Sequence, residues 1–193
     1  MKTEILDRRV RKTRHQLRHC LAVLLKEKKI QDITVREITE MADLNRGTFY
    51  LHYKDVFDLL DKVELDLLDT LDETLQKYQA YDLQQKPSMI FADLFVCVQE
   101  NAEMVNILLG ENGDLNFVNQ IKSRVREKCL KDWMELFRTQ DSRLFDAVYA
   151  YIVSGFLGLV TYWLQNGMKE SPDKLAEIAQ QIMLTGINVL KTA

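Results

Sequence analysis

The sequence predicts an all-α protein, and three observations point there. Glycine and proline are scarce, 7 and 2 in 193 residues, so little punctuates the chain. Apolar residues recur three and four positions apart rather than two, the period of a helix face. Ser, Thr, Asp and Asn stand ahead of several such runs and divide the pattern into segments of helical length. At 47% hydrophobic and 28% charged residues, a chain of this length can bury a real core.

Taken in order, the first helix is expected over about residues 8–28. Leu17, Cys20, Leu21, Leu24 and Leu25 share one face, and Arg11, Arg14 and Arg18 form a basic row on another. Thr34 and Glu37 have the spacing of a capping box, so a helix of about two turns should follow Thr34 with Val35, Ile38 and Ala42 inward. Asp43 then falls at a turn position that needs a positive φ, which Asp tolerates better than most residues. A third, short helix is expected from 45 or 46 to 53, with Phe49 and Tyr53, four apart, facing inward beside Leu44. Asp55, supported by Asp58, can cap a long fourth helix reaching about residue 78. Residues 79–86 are polar and read as a linker, and Pro87 can open the next helix. Beyond it, helices are expected at 87–99, 101–109, 114–138, 142–166 and 172–191. A turn at 111–114, a stop at Asn166-Gly167 and a cap at Ser171-Pro172 separate them. The expected domains are 1–54, a connecting segment 55–86, and 87–193.

Enzyme chemistry finds little support. No G-x-S-x-G elbow, Gly-rich phosphate loop, H-E-x-x-H or metal-site spacing of Cys, His and acids is present. His15 and His19 lie four apart, but Arg11, Arg14 and Arg18 beside them oppose a cation, so no metal and no cofactor is expected. Cys20, Cys97 and Cys129 are scattered through apolar helical patterns, as buried thiols in a reducing compartment would be. With no signal-peptide pattern at the N-terminus, a cytoplasmic location is expected. The uncharged stretch 147–164 is almost long enough to span a bilayer. Its Ser154, Thr161 and three tyrosines, and the lack of basic residues just beyond it, favour a helix buried in a bundle or subunit interface instead.

Charge supplies the functional lead. The net charge is −3, yet residues 1–62 hold 14 Lys and Arg against 10 Asp and Glu, and the remainder holds 12 against 19. A long helix followed by two short ones across a tight turn, with basic residues outside, is the layout of a helix-turn-helix. Its second short helix enters the DNA major groove. Arg46 can reach guanine, Thr48 offers a methyl and a hydroxyl, and Gly47 allows close approach. Tyr50, Leu51 and His52 project from faces that Phe49 and Tyr53 do not use. Tyr50, His52 and Lys54 suit phosphates.

The segment ITVREITEMADLNRGTFYLHYKDVFDLL closely resembles the DNA-binding signature of the TetR family of bacterial transcription regulators. The likeness is specific over roughly residues 9–60 and extends beyond as a helix count. It implies an all-α homodimer with a three-helix N-terminal helix-turn-helix domain and a C-terminal bundle that binds a small-molecule effector and dimerises. It also implies a double-stranded DNA operator as partner, with Thr34 meeting a phosphate and Arg36 a base or the backbone. Arg46, Gly47, Thr48, Tyr50, Leu51 and His52 match recognition-helix positions. Two residues depart from the pattern: Asp43 replaces the usual Gly, and Val56 stands where a phosphate-binding Lys is usual, with Lys54 placed to substitute.

In the C-terminal half, Phe91, Phe95, Met104, Trp133, Phe137, Tyr149, Phe156 and Trp163 fit core packing or an apolar pocket equally by pattern, so the sequence assigns no effector site. Small residues Ser154, Gly155 and Gly158, with Ile178, Ile182 and Gly186 on the last helix, lie in rows that allow close helix approach and form the expected dimer face. The leading expectation is a dimeric, sequence-specific repressor released from a near-palindromic operator by its effector. A co-regulator acting through protein contacts is the alternative, to which Val56 points.

Overall fold

The computed structural model describes residues 2–110, 113–137 and 142–191. They form ten α-helices and one short 3-10 turn, an all-α fold with N-terminal helices and a C-terminal bundle. The chain divides into two compact units, Met1–Leu67 and Leu68–Ala193.

The first unit contains α1 (Lys2–Leu25), the 3-10 turn Ile30–Asp32, α2 (Val35–Met41), α3 (Arg46–Tyr50) and the start of α4 (Val56–Gln76). Each boundary has a local cause. Thr34 and Glu37 close the capping box: the Thr34 hydroxyl accepts from the Glu37 N–H at 3.3 Å, and the Glu37 carboxylate accepts from the Thr34 N–H at 2.9 Å. Asp43 adopts φ 49°, the left-handed conformation expected of the turn. The Asn45 side chain accepts from the Gly47 N–H at 2.8 Å and caps α3. At the start of α4 the Asp55 side chain accepts from the Asp58 N–H at 2.8 Å. Leu17, Leu21, Ile38, Phe49 and Leu59 are fully buried, with Cys20, Tyr53 and Val56 nearly so. Leu25, Val35 and Leu44 are only half-buried.

The second unit contains the rest of α4, then α5 (Ala80–Gln85), α6 (Pro87–Glu100), α7 (Ala102–Leu108), α8 (Leu115–Phe137), α9 (Ser142–Gln165) and α10 (Pro172–Lys191). α10 packs along α6 and against α9, and α5 against α8. Trp163 and Phe95 are fully buried, edge to face at 5.4 Å. The Trp163 indole N–H donates to the Glu170 carbonyl at 3.0 Å, so its burial leaves no polar atom stranded. Gly167 at φ +75° and Met168 at φ 52° turn the chain between α9 and α10, and the Ser171 hydroxyl caps α10 on the Lys174 N–H at 3.3 Å.

Three expectations shift. α1 begins at Lys2 rather than near residue 8. The 79–86 stretch is no open linker: Asp82 accepts from the Gln79 N–H at 2.8 Å and starts α5 there. α3 stops at Tyr50 because the Phe49 carbonyl accepts from both His52 and Tyr53, at 2.9 and 3.0 Å, which tightens the last turn. The side chains of Cys129, Trp133 and Phe137, the surroundings of Gly186 and the first half of the 111–114 turn lie outside the described residues.

Candidate nucleic-acid interface

α3 sorts its side chains sharply. Phe49 is fully buried and Tyr53 nearly so, their rings 5.6 Å apart. Tyr50 is 58% exposed and Leu51 81%, although both adjoin that core. Arg46, Gly47 and Lys54 are also exposed, while Thr48 and His52 are half-buried. A Cβ on Gly47 would come no nearer than 3.5 Å to the Asn45 side chain, so no clash within the chain itself calls for glycine. Within the capped, five-residue helix Phe49 faces inward and Arg46, Gly47 and Tyr50 outward, whereas Thr48 and, beyond the helix, His52 are only partly presented.

Thr34 and Arg36 are exposed on α2 but already engaged. The Thr34 hydroxyl donates to Glu37 at 2.8 Å, and Arg36 pairs with Glu40 at 2.6 Å one turn on. Either must change partner to meet a phosphate. Both internal bonds are solvent-exposed, so the exchange costs little. The pull of Lys28 and of the Thr34 hydroxyl and N–H lowers the Glu37 carboxyl to about 2.

The basic row of α1 is shorter than the spacing suggests. Arg11 and Arg14 are exposed, but Arg18 is half-buried and paired with Asp66 of α4, 48 residues away. His15 and His19 are exposed, and no three His, Cys, Asp or Glu side chains converge on a metal position among the described residues. Burial lowers the His52 pKa first, and the nearby charges of Arg14 and Lys62 add to it. Near neutral pH His52 therefore offers a neutral imidazole, able to donate one hydrogen bond and accept another.

Val56 is 4% exposed: the position where the resemblance implies a lysine points into the core. Two contributors escaped sequence reading. Gln16 of α1 donates its amide to the Ala42 carbonyl and ties off the end of α2. Lys62 of α4 reaches the end of α3, and its only sequence signal is an i,i+4 pairing with Asp58.

In the second unit, α6, α9 and α10 line an open cavity of about 310 Å³. Phe91 and Phe156 stack in its wall at 5.3 Å and 27°, with Ile152, Leu159 and Met183 around them. The described lining carries no charged side chain. Phe95, Met104, Tyr149 and Trp163 are buried and do not line it. Its rim includes Tyr151, Ser154, Gly155 and Ile182. Ser154, Gly155 and Gly158 are exposed, Ile178 is half-buried and Ile182 is 50% exposed. Phe145–Gln165 is long and apolar enough to cross a membrane by length and composition, yet only 22% of its apolar 18-residue window is buried. A helix covered on nearly all sides, in a bundle or a subunit interface, was expected; within one chain part of its surface is uncovered.

Comparisons with known proteins converge. The family described as "Transcriptional regulator C-terminal region", of TetR type, matches residues 85–185, just over half of the chain. An uncharacterised helix-turn-helix-type transcriptional regulator of Bacillus subtilis (strain 168), YxbF, is 25% identical over 170 residues. That match covers 84% of this chain, and the chain spans only 42% of the relative's length. A TetR transcriptional regulator from Streptococcus agalactiae 2603V superposes with a TM-score of 0.60 at 20% identity, covering 94% of this chain and 98% of that one. NalD, the secondary repressor of the MexAB-OprM multidrug efflux pump in Pseudomonas aeruginosa, gives 0.63 at 20%, covering 91% and 95%. These structural likenesses establish the shared fold, and the match over 85–185 establishes the kinship: the chain belongs to the TetR family of transcriptional regulators.

Proposed function

We propose that the chain is a cytoplasmic, sequence-specific DNA-binding regulator that works as a homodimer. It acts as a repressor of a near-palindromic operator and is released by a small-molecule effector. α2, the Asp43 turn and α3 form a helix-turn-helix with α3 as recognition helix. Residues 1–54 read DNA, 55–86 connect, and 87–193 bind the effector and dimerise. One observation carries this reading: Arg46 and Tyr50 on α3, and Leu51 and Lys54 just beyond its end, stand exposed while Phe49 of the same helix is wholly buried. Large apolar and aromatic groups held out beside cations suit base edges and phosphates, and Tyr50 keeps only an edge-to-face contact with Phe49 inside the chain.

Arg46, Gly47 and Thr48 meet base edges in the major groove. Thr34, Arg36, Tyr50, His52 and Lys54 contact the backbone, and Leu51 packs on a thymine methyl. The uncovered face of α9 and α10, with Ser154, Gly155, Gly158, Ile178 and Ile182, is assigned to the partner protomer rather than to a membrane, and Gly186 is assigned with it from its row in the sequence alone. Two recognition helices then lie about 34 Å apart, one DNA turn. The uncharged cavity on α6, α9 and α10 is the candidate effector site, for a neutral apolar molecule. Its rim shares Ser154, Gly155 and Ile182 with the proposed interface, so an occupant can bias the dimer geometry and hence the half-site spacing.

Selection of the purified chain on random duplexes tests the reading. An inverted repeat with half-sites one turn apart is expected, and recovery of no preferred sequence would refute it. The alternative, a co-regulator acting through protein contacts, draws on the buried Val56, which leaves that point of α4 without a phosphate clamp. It predicts retention of a protein partner together with undetectable DNA binding at low salt.

A further inference from the structure

We infer that Lys62 of α4 is a positioning residue for DNA reading: it fixes the end of the recognition helix without itself touching DNA. The inference rests on the DNA-binding reading above and adds to it how the reading head is held.

α3 has only five residues, far below the length at which a helix stands alone in water. Its start is capped by Asn45; its end has no left-handed glycine and closes only on local backbone bonds to the Gly47 and Phe49 carbonyls. What holds that end from outside the segment comes from α4. The Lys62 ammonium donates to the His52 carbonyl at 3.1 Å and to the Asp58 carboxylate at 2.8 Å, and sits 5.2 Å from the centre of the Tyr53 ring. The same Asp58 carboxylate accepts from the Lys54 N–H at 2.8 Å. Asp58 and Lys62 therefore grip the backbone on both sides of Tyr53, between two residues proposed to meet phosphates. One further turn along α4, Asp66 pairs with Arg18 of α1. Asp58, Lys62 and Asp66, each four residues apart, make one polar row that binds α4 to the α3 end and to α1.

Energy alone does not explain the arrangement. Lys62 is 46% exposed, and ion pairs so open to water add little stability. A carbonyl held by a cation is a geometric constraint, and a recognition helix displaced by 1 Å no longer meets base edges. Because Lys62 is cationic, it could instead be one more phosphate contact. The two roles separate by salt dependence, since each lost phosphate contact lowers the slope of log K against log salt by about one on any sequence.

The test measures anisotropy of the selected operator duplex and of a scrambled duplex across a salt series, with wild type, Lys62→Met, Lys62→Arg and Asp58→Asn. Far-UV circular dichroism verifies folding. Expected is a loss of about tenfold or more for Lys62→Met on the operator, with the scrambled duplex and both salt slopes unchanged. Asp58→Asn should lose less, Lys62→Arg should recover most of the affinity, and amide exchange at 51–54 in free Lys62→Met should quicken. Operator affinity equal to wild type in Lys62→Met, or a parallel loss on both duplexes with a slope lowered by about one, overturns the inference. If Lys62→Met does not fold, Asp58→Asn decides by the same criteria. A wild type with no preference between duplexes sinks the underlying reading, whereas failure of this inference leaves the wild-type preference intact.

Discussion

Phe49 and Tyr50 are neighbours in sequence and in contact, their rings edge to face at 5.7 Å, yet the structure gives them opposite roles. Phe49 is fully buried, so Phe49→Ala removes a phenyl from a close-packed site, a loss of about 3–5 kcal/mol. Tyr50 is 58% exposed, and Tyr50→Ala forfeits little more than the edge-to-face pairing, about 1 kcal/mol. Urea denaturation by far-UV circular dichroism converts these into midpoints: with a slope near 2 kcal/mol per molar, Phe49→Ala shifts by about 2 M and Tyr50→Ala by about 0.5 M. Anisotropy on the selected duplex should invert the order. Tyr50→Ala loses affinity while fully folded, and Phe49→Ala loses it only in proportion to its unfolded fraction. Equal destabilisation by the two substitutions would refute the division of α3 into a buried and a presented side.

Two further outcomes follow from the same structure. Glu37, lowered to about 2 in the folded chain from a usual 4.5, binds fewer protons folded than unfolded. Its capping box and Lys28 pair therefore contribute fully above about pH 5 and are lost as pH falls toward 2; thermal melts from pH 7 to 2.5 should show this slope flattened in Glu37→Gln. A Cβ on Gly155 or Gly158 meets nothing within 4 Å, so Gly158→Leu should leave the isolated chain folded while shifting sedimentation from dimer to monomer. Dimers that persist unchanged would place the interface elsewhere.

What was legible in the sequence was local. The Thr34 and Glu37 spacing, Asp55, Ser171-Pro172 and the positive φ at Asp43 each depend on residues a few positions apart, and each forms as expected. The inward pair Phe49 and Tyr53 follows from helical periodicity. Where distant residues decide, the sequence misled or was silent. Arg18 looked like part of an exposed basic row until Asp66, 48 residues on, took it up. Gln16 closing α2 and Lys62 reaching His52 depend on how the helices fold back on one another. The cavity between α6, α9 and α10 draws on segments up to 92 residues apart in sequence, so the aromatic pattern alone could not separate Phe91 and Phe156 in its wall from Phe95 and Trp163 in the core. The absence of catalytic motifs pointed away from enzymes, and the match over residues 85–185 places the chain among the TetR regulators.

The central claim, that α3 reads sequence, is tested most directly by Arg46→Ala. The measurement is the ratio of affinities for the selected and scrambled duplexes at fixed salt. A bidentate contact to guanine predicts a ratio reduced by about 1–3 kcal/mol, roughly tenfold to a hundredfold, with non-specific binding nearly retained. An unchanged ratio in the folded variant would contradict it.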